Sequence, residues 1–300
     1  MPTISVAVPR KGRPLEAVLE RLASRADATA VADDVISILR YEKAVTKGNS
    51  QADGDVYDRL AEYSDLTEPT APEFSLLRDD RAGKPRRIVF DSLTLPVDGV
   101  DVRLVGREEP FRALRTHEFA LGFDSADLVL EEVVELREAP LTAIGEINDR
   151  IDPRDTDVRV VGGLGDTVYH TLLATPDVTE RFDVPLTRSF VDRYEGPLCI
   201  SPRYERLVEA VLGMDALDGI EFVYPTAGQE EEAGIADAGM GVYLTVTGST
   251  AREHGLVLGE QLFPSETVQL ENPAEADPAV ETVRDLFVAP TDETAIPATD

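Results

Sequence analysis

Thr245-Val246-Thr247-Gly248-Ser249-Thr250-Ala251-Arg252 is an extended run that feeds a glycine turn and then opens a short helical stretch. The step recurs along the chain, and its recurrence decides the fold. Strand-like runs occupy residues 4–8, 87–90, 100–105, 120–123, 158–161, 169–173, 197–200, 220–223, 241–246 and 267–270. Helical apolar spacing appears between them at 14–24, 33–41, 108–115, 125–136, 204–212 and 250–255, as with Leu15, Val18, Leu19 and Leu22 in the first. Strands alternating with helices predict an α/β architecture with mostly parallel sheets.

The glycine cluster Gly162-Gly163-Leu164-Gly165 lacks the full dinucleotide fingerprint and reads as a hinge or turn between two blocks. The expected division is a first α/β domain over 1–160, completed by about 265–287, and a second over 161–264 that carries the turn at Gly248. The stretch 44–85 is polar, with Gly48, Gly54, Pro69, Pro72 and Gly83, and reads as a surface insertion with a short helix around 57–63. One helix is expected at 279–287, followed by a loose acidic tail at 288–300.

Charge narrows the setting. There are 58 acidic residues against 29 basic ones, a net charge of −29, and only four of the bases are lysine: Lys11, Lys43, Lys47 and Lys84. Self-repulsion of this size opposes compaction unless salt screens it, so the expected habitat is concentrated salt. An acidic face for a basic partner is the alternative, but the acids are spread along the whole chain. Sequence-independent nucleic-acid binding is excluded by the missing basic patch. No apolar run reaches the roughly 18 residues that a membrane helix needs, and the first residues lack the basic start of a signal peptide. A cytoplasmic protein is expected, with no membrane partner and a homo-oligomer possible. Cys199 stands alone in an apolar run, which fits a buried structural thiol. Three histidines, His117, His170 and His254, carry no partner signature, and with one cysteine they exclude a conventional zinc site.

The candidate chemistry is phosphate binding. At Thr247, Gly248, Ser249 and Thr250, a helix start would present unpaired N–H groups with hydroxyls beside them, and Arg252 would add charge. Ser249 or Thr250 also reads as a plain N-cap. Lys11-Gly12-Arg13 follows the first strand, at the edge where open α/β sheets bind ligands, or forms an exposed basic turn. Asp127, after the strand at 120–123, is a candidate for a ligand hydroxyl or N–H. Asp124 and Ser125 read as helix caps.

Taken together, these segments resemble the ATP phosphoribosyltransferase family of histidine biosynthesis. Val8-Pro9-Arg10-Lys11-Gly12-Arg13 resembles its opening Pro-x-Lys-Gly-Arg. Ala120-Leu121-Gly122 through Asp127-Leu128-Val129 resembles its Asp-Leu-Gly-Ile-x-Gly-x-Asp strand and helix. Ile235-Ala236-Asp237-Ala238 is similar to Leu-Ala-Asp-Ala, and Thr247 through Leu256 to Thr-Gly-x-Thr-Leu-Arg-x-Asn-Gly-Leu. Leu270-Glu271-Asn272-Pro273 resembles the return to the first domain. The resemblance implies two α/β domains of periplasmic-binding-protein type with an interdomain cleft. It implies transfer of phosphoribosyl from phosphoribosyl diphosphate to N1 of ATP, with Mg²⁺ as cofactor. Thr247 to Thr250 would hold the 5′-phosphate, Lys11 and Arg13 the diphosphate or nucleotide phosphates, and Asp127, Asp237 and Arg252 would be further contacts. Where the family carries acidic residues just before its Thr-Gly, this chain has Tyr243 and Val246. The ribose grip is therefore weakened. A diverged, non-catalytic or regulatory paralogue that binds a phosphorylated metabolite is the alternative.

Overall fold

A computed structural model describes residues 1–287 apart from 66, 69, 79–85, 183, 227 and 228. The acidic stretch at 288–300 lies outside the described residues.

The chain divides into two compact units. Among the described residues, the first comprises 1–124, 157–164 and 267–287; the second comprises 125–156 and 165–266. Unit 1 is built on β1 (Thr3–Pro9), β2 (Glu73–Arg78), β3 (Arg86–Val97), β4 (Val100–Arg107), β5 (Leu121–Ser125) and β6 (Arg159–Gly163). Unit 2 holds β7 (Val168–Ala174), β8 (Gly196–Cys199), β9 (Ile220–Val223), β10 (Met240–Thr245) and β11 (Val257–Ser265). The last strand, β12 (Thr267–Glu271), returns to unit 1.

The first sheet runs β2-β3-β4-β1-β5-β12-β6. Its centre is parallel, with β1 paired to β4 and β5, and its flanks are antiparallel. The β3–β4 hairpin turns through Asp98 and Gly99, both at positive φ (49° and 84°), the geometry that matches a two-residue hairpin to strand twist. The helix Arg13–Arg25 lays Leu15, Val18, Leu19 and Leu22 on the sheet, all fully buried. Each such side chain contributes about 1.5–3 kcal/mol. The helix Pro278–Phe287 adds Val283 and Phe287, the latter edge-on to Phe123 at 4.7 Å between ring centres.

The second sheet runs β11-β7-β10-β8-β9. Strand β7 is antiparallel to β10 and β11, whereas β8 is parallel to β9 and β10. Cys199 is buried among Leu173, Ile235, Ala251 and Leu256. Burial pushes its thiol up to about 11, the behaviour of a structural cysteine rather than a nucleophile.

Two expectations need correction. The insertion at 44–85 is not all surface excursion. The helix Thr29–Lys47 runs through its start, a helix forms at Val56–Tyr63, and β2 lines the edge of the sheet against β3. The second correction is the boundary: residues 125–156 belong to unit 2, not to the first domain. The helix Ala126–Glu132 and the segment after it are held to the helix Glu205–Leu212. Glu131 accepts from the Leu207 amide at 2.8 Å, Arg206 donates to the Val134 carbonyl at 2.7 Å, and the Leu141 amide donates to the Ala210 carbonyl at 2.8 Å. Gly213 completes the seam, since a Cβ there would lie 2.3 Å from the Glu138 carbonyl oxygen.

Candidate phosphate-binding turn

Strand β10 ends at Thr245, and the helix Ser249–Glu253 begins four residues later. Gly248 makes the turn in the left-handed region (φ 67°) and is itself the N-cap, with no side chain capping the helix. Ser249 and Thr250 are therefore not caps as the sequence suggested. Their hydroxyls stay exposed, as does that of Thr247, which lies 3.2 Å from Ser249 Oγ. Amides of the first turn have no partner within the helix.

Arg252 folds back, and its Nη1 donates to the Thr247 carbonyl at 3.0 Å. Its charge therefore stands beside the turn and staples it. Ala251, fully buried with Leu256, anchors the helix in the core under the turn. Beneath the strand end, Thr245 and Thr171 share a 2.6 Å hydroxyl–hydroxyl bond.

A cavity of about 290 Å³ opens here, lined by Leu244 through Ala251 and by Glu232. Glu232 comes from the helix Glu231–Ala238, which the sequence did not announce: Gly234 interrupts it and its apolar face is narrow. Glu231 precedes Glu232 on the same helix, and both charges act on the Tyr243 hydroxyl. Burial and then the charges of Glu231 and Glu232 push Tyr243 up to about 12. Val246, where the family has an acid, is 82% exposed.

The remaining candidates are placed elsewhere. Asp237 shares the helix with Glu232 but is exposed and bonds Gln229 at 2.8 Å; it does not line the cavity. Lys11 and Arg13 are in unit 1, just beyond β1, with Gly12 at φ 90° ahead of the helix Arg13–Arg25. Asp124 caps a helix, but the preceding one, accepting from the Phe111 amide at 3.2 Å. Leu164 and Gly165 mark a passage between units, and Gly165, at φ 81°, donates its amide to Glu266.

Asp127 lies at the start of the helix Ala126–Glu132. Only 4% exposed, it takes bonds from His170 Nε2 at 3.1 Å, from Ser265 at 2.9 Å and from Ser125. His170, 1% exposed, packs edge-on against Tyr204. These bonds make a buried polar lock. Burial pushes the Asp127 carboxyl up, but the bonds and charge from His170, and the two serine bonds, outweigh it and leave it below the ordinary carboxylate range. A depressed folded-state value means stability that is full above about pH 4 and lost as pH falls through the folded value. Urea unfolding from pH 6 to pH 3 is expected to show the parent's advantage over Asp127→Asn shrinking on acidification. A constant difference would mean that the charge contributes nothing.

Two compact units, each built on a sheet of parallel and antiparallel strands with helices against it, make this a two-domain α/β protein. The chain belongs to the halobacterial ATP phosphoribosyltransferase family, whose model matches residues 1–298. Similar solved structures include the ATP phosphoribosyl transferase (HisG:HisZ) complex from Thermotoga maritima, at 13% identity, TM-score 0.42 and 94% of each chain covered. YhfZ from Shigella flexneri matches at 10% identity and TM-score 0.44, over 96% of this chain and 85% of that one. The OxyR2 regulatory domain from Vibrio vulnificus matches at 13% identity and TM-score 0.35, over 63% and 80%. No curated protein matches the sequence. Among the described residues no helix is long and apolar enough to cross a membrane.

Proposed function

We propose that this chain transfers phosphoribosyl from phosphoribosyl diphosphate to N1 of ATP, with the turn Thr247–Thr250 holding the donor's 5′-phosphate. The observation that carries this reading is the cavity at the end of β10, lined by exposed hydroxyls and first-turn amides. Such a lining solvates an anion with fixed donors. Family membership supplies the reaction class.

In the transfer, ATP N1 forms a bond to the ribose C1′ as the C1′–O bond breaks, and the electron pair departs with diphosphate. The protein positions both substrates and offsets the developing charge. Thr247, Ser249 and Thr250 fix the donor by its far end. Lys11 and Arg13 are the cations assigned to the diphosphate or nucleotide phosphates. Among the described residues no cluster of three His, Cys, Asp or Glu could hold a metal ion. Mg²⁺ is usually held by one or two carboxylates together with substrate phosphates, so the proposed ion accompanies the phosphates of the two substrates.

The exposed Val246 favours a second reading, a diverged paralogue that binds a phosphorylated metabolite without catalysis. Diphosphate release separates the two. With phosphoribosyl diphosphate, ATP and Mg²⁺ in molar KCl, release is expected to require all three. The salt is needed because a net charge of −29 opposes folding unless screened. A raised melting temperature with phosphoribosyl diphosphate but no release would establish the binder. Neither response would defeat both readings.

A further inference from the structure

Arg10 stands between β1 and the basic residues Lys11 and Arg13, and it is held by both its backbone and its side chain. Strand β3 pairs with β4 from Ser92 onward, so the Phe90 amide lies beyond that ladder. It donates instead to the Arg10 carbonyl at 3.0 Å. The Arg10 side chain is 20% exposed, and its Nη2 donates to Asp91 Oδ1 at 2.5 Å and to Ser75 Oγ at 3.0 Å. The Ser75 hydroxyl in turn donates to the same Asp91 oxygen at 3.1 Å. Glu108 lies 3.9 Å from Nη1. Gly106 lets the strands close in, since a Cβ there would lie 2.5 Å from the Phe90 carbonyl oxygen and 3.1 Å from Arg10 Cγ.

Ser75 belongs to β2, inside the stretch 44–85 that reads as an insertion, and Asp91 belongs to β3. On the other side of the basic turn, the helix Arg13–Arg25 is anchored by the buried Leu15, Val18, Leu19 and Leu22. Lys11 and Gly12 thus bridge two fixed points, with two soft dihedrals each. Gly12, at φ 90°, takes a backbone shape closed to most side chains. Fixing Arg10 therefore sets the direction in which Lys11 and Arg13 leave the strand end. Cations placed in advance lose less conformational entropy when they meet a polyanion.

We propose that Arg10, clamped by Asp91 and Ser75, is the positioning residue that sets Lys11 and Arg13 for a diphosphate, and that the inserted strand β2 serves the site through Ser75. The proposal rests on the assignment of Lys11 and Arg13 to the diphosphate or nucleotide phosphates. Titration of the full chain with inorganic diphosphate in molar KCl tests it. Lys11→Ala reads the underlying assignment and is expected to weaken binding by about 10-fold or more. Asp91→Asn removes a negative charge near the turn, so charge alone would tighten a polyanion. Loss of the clamp is expected to weaken it instead, by about 10-fold, the ordering cost of two long side chains. Ser75→Ala is expected to act in the same direction, by about 3- to 10-fold, whereas Ser75→Thr keeps the hydroxyl and should bind as the parent does.

Binding that is unchanged or tighter in Asp91→Asn, or unchanged in Ser75→Ala, would overturn the proposal. Equal loss in Ser75→Ala and Ser75→Thr would overturn it too, because a packing defect and not the hydroxyl would be responsible. Should Asp91→Asn fail to fold, which urea unfolding in the same salt reveals, the two Ser75 variants decide alone. If Lys11→Ala binds as the parent does, or the parent binds no diphosphate, the assignment of the basic turn has itself failed and the proposal falls with it.

Discussion

Replacing Arg59 by alanine is expected to destabilise unit 1 by about 3–5 kcal/mol. Arg59 is 7% exposed and its partner Glu42 only 2%. The guanidinium grips both carboxylate oxygens, at 2.7 and 3.1 Å, and also donates to the Gly54 carbonyl at 3.1 Å. The Tyr63 hydroxyl donates to the same carboxylate at 3.2 Å; burial, then Glu42, push this phenol up to about 12. Removing the arginine strands a buried charge, and that, more than the lost attraction, sets the magnitude. The loss should persist in molar KCl, because buried pairs are poorly screened. An exposed pair such as Arg154 with Asp152 is expected to contribute nothing measurable in such salt. Urea unfolding at fixed KCl reads the effect, and a loss under about 1 kcal/mol would show that Glu42 finds water when its partner goes. Glu42→Leu combined with Arg59→Met should restore most of the stability.

The second large effect concerns the turn. At phosphoribosyl diphosphate concentrations of 100 times the dissociation constant, the parent should gain about 2.7 kcal/mol of stability. Ser249→Asp is expected to gain none, because its carboxylate would stand on the exposed rim where the phosphate belongs. Gly248 is a poorer place for the test: a side chain there is strained at φ 67°, and its Cβ would lie 2.2 Å from Leu258 Cδ2. Ser249→Ala removes one donor and should cost about 1 kcal/mol of the gain. Thermal melts with and without ligand decide it. An undiminished gain in Ser249→Asp would place the anion elsewhere.

The turn at Gly248 was legible because strand, glycine and hydroxyls are adjacent in sequence and their chemistry is local. The elements that escaped reading lack local pattern. Strand β11 contains Gly259 and Pro264 and pairs with β7 through register shifts, so alternation is broken. Strand β2 is a six-residue edge strand lying within a stretch rich in glycine, proline and charge. The helix carrying Glu232 has two glutamates and Gly234 in place of an apolar stripe. The lock of Asp127 with His170 and Ser265 joins distant segments, and no spacing rule announces it. The boundary at Ser125 was invisible for the same reason: contacts with the helix Glu205–Leu212 decide which unit the segment joins.

Strand β12 is sandwiched between β5 and β6, and the helix Pro278–Phe287 seals the same sheet with Phe287. The earliest residues to leave the ribosome thus wait for nearly the last ones before their layer can close. All of residues 165–266 must be synthesised in the interval. Until then β5 and β6 lack the strand between them, leaving unpaired backbone open to misassociation during synthesis.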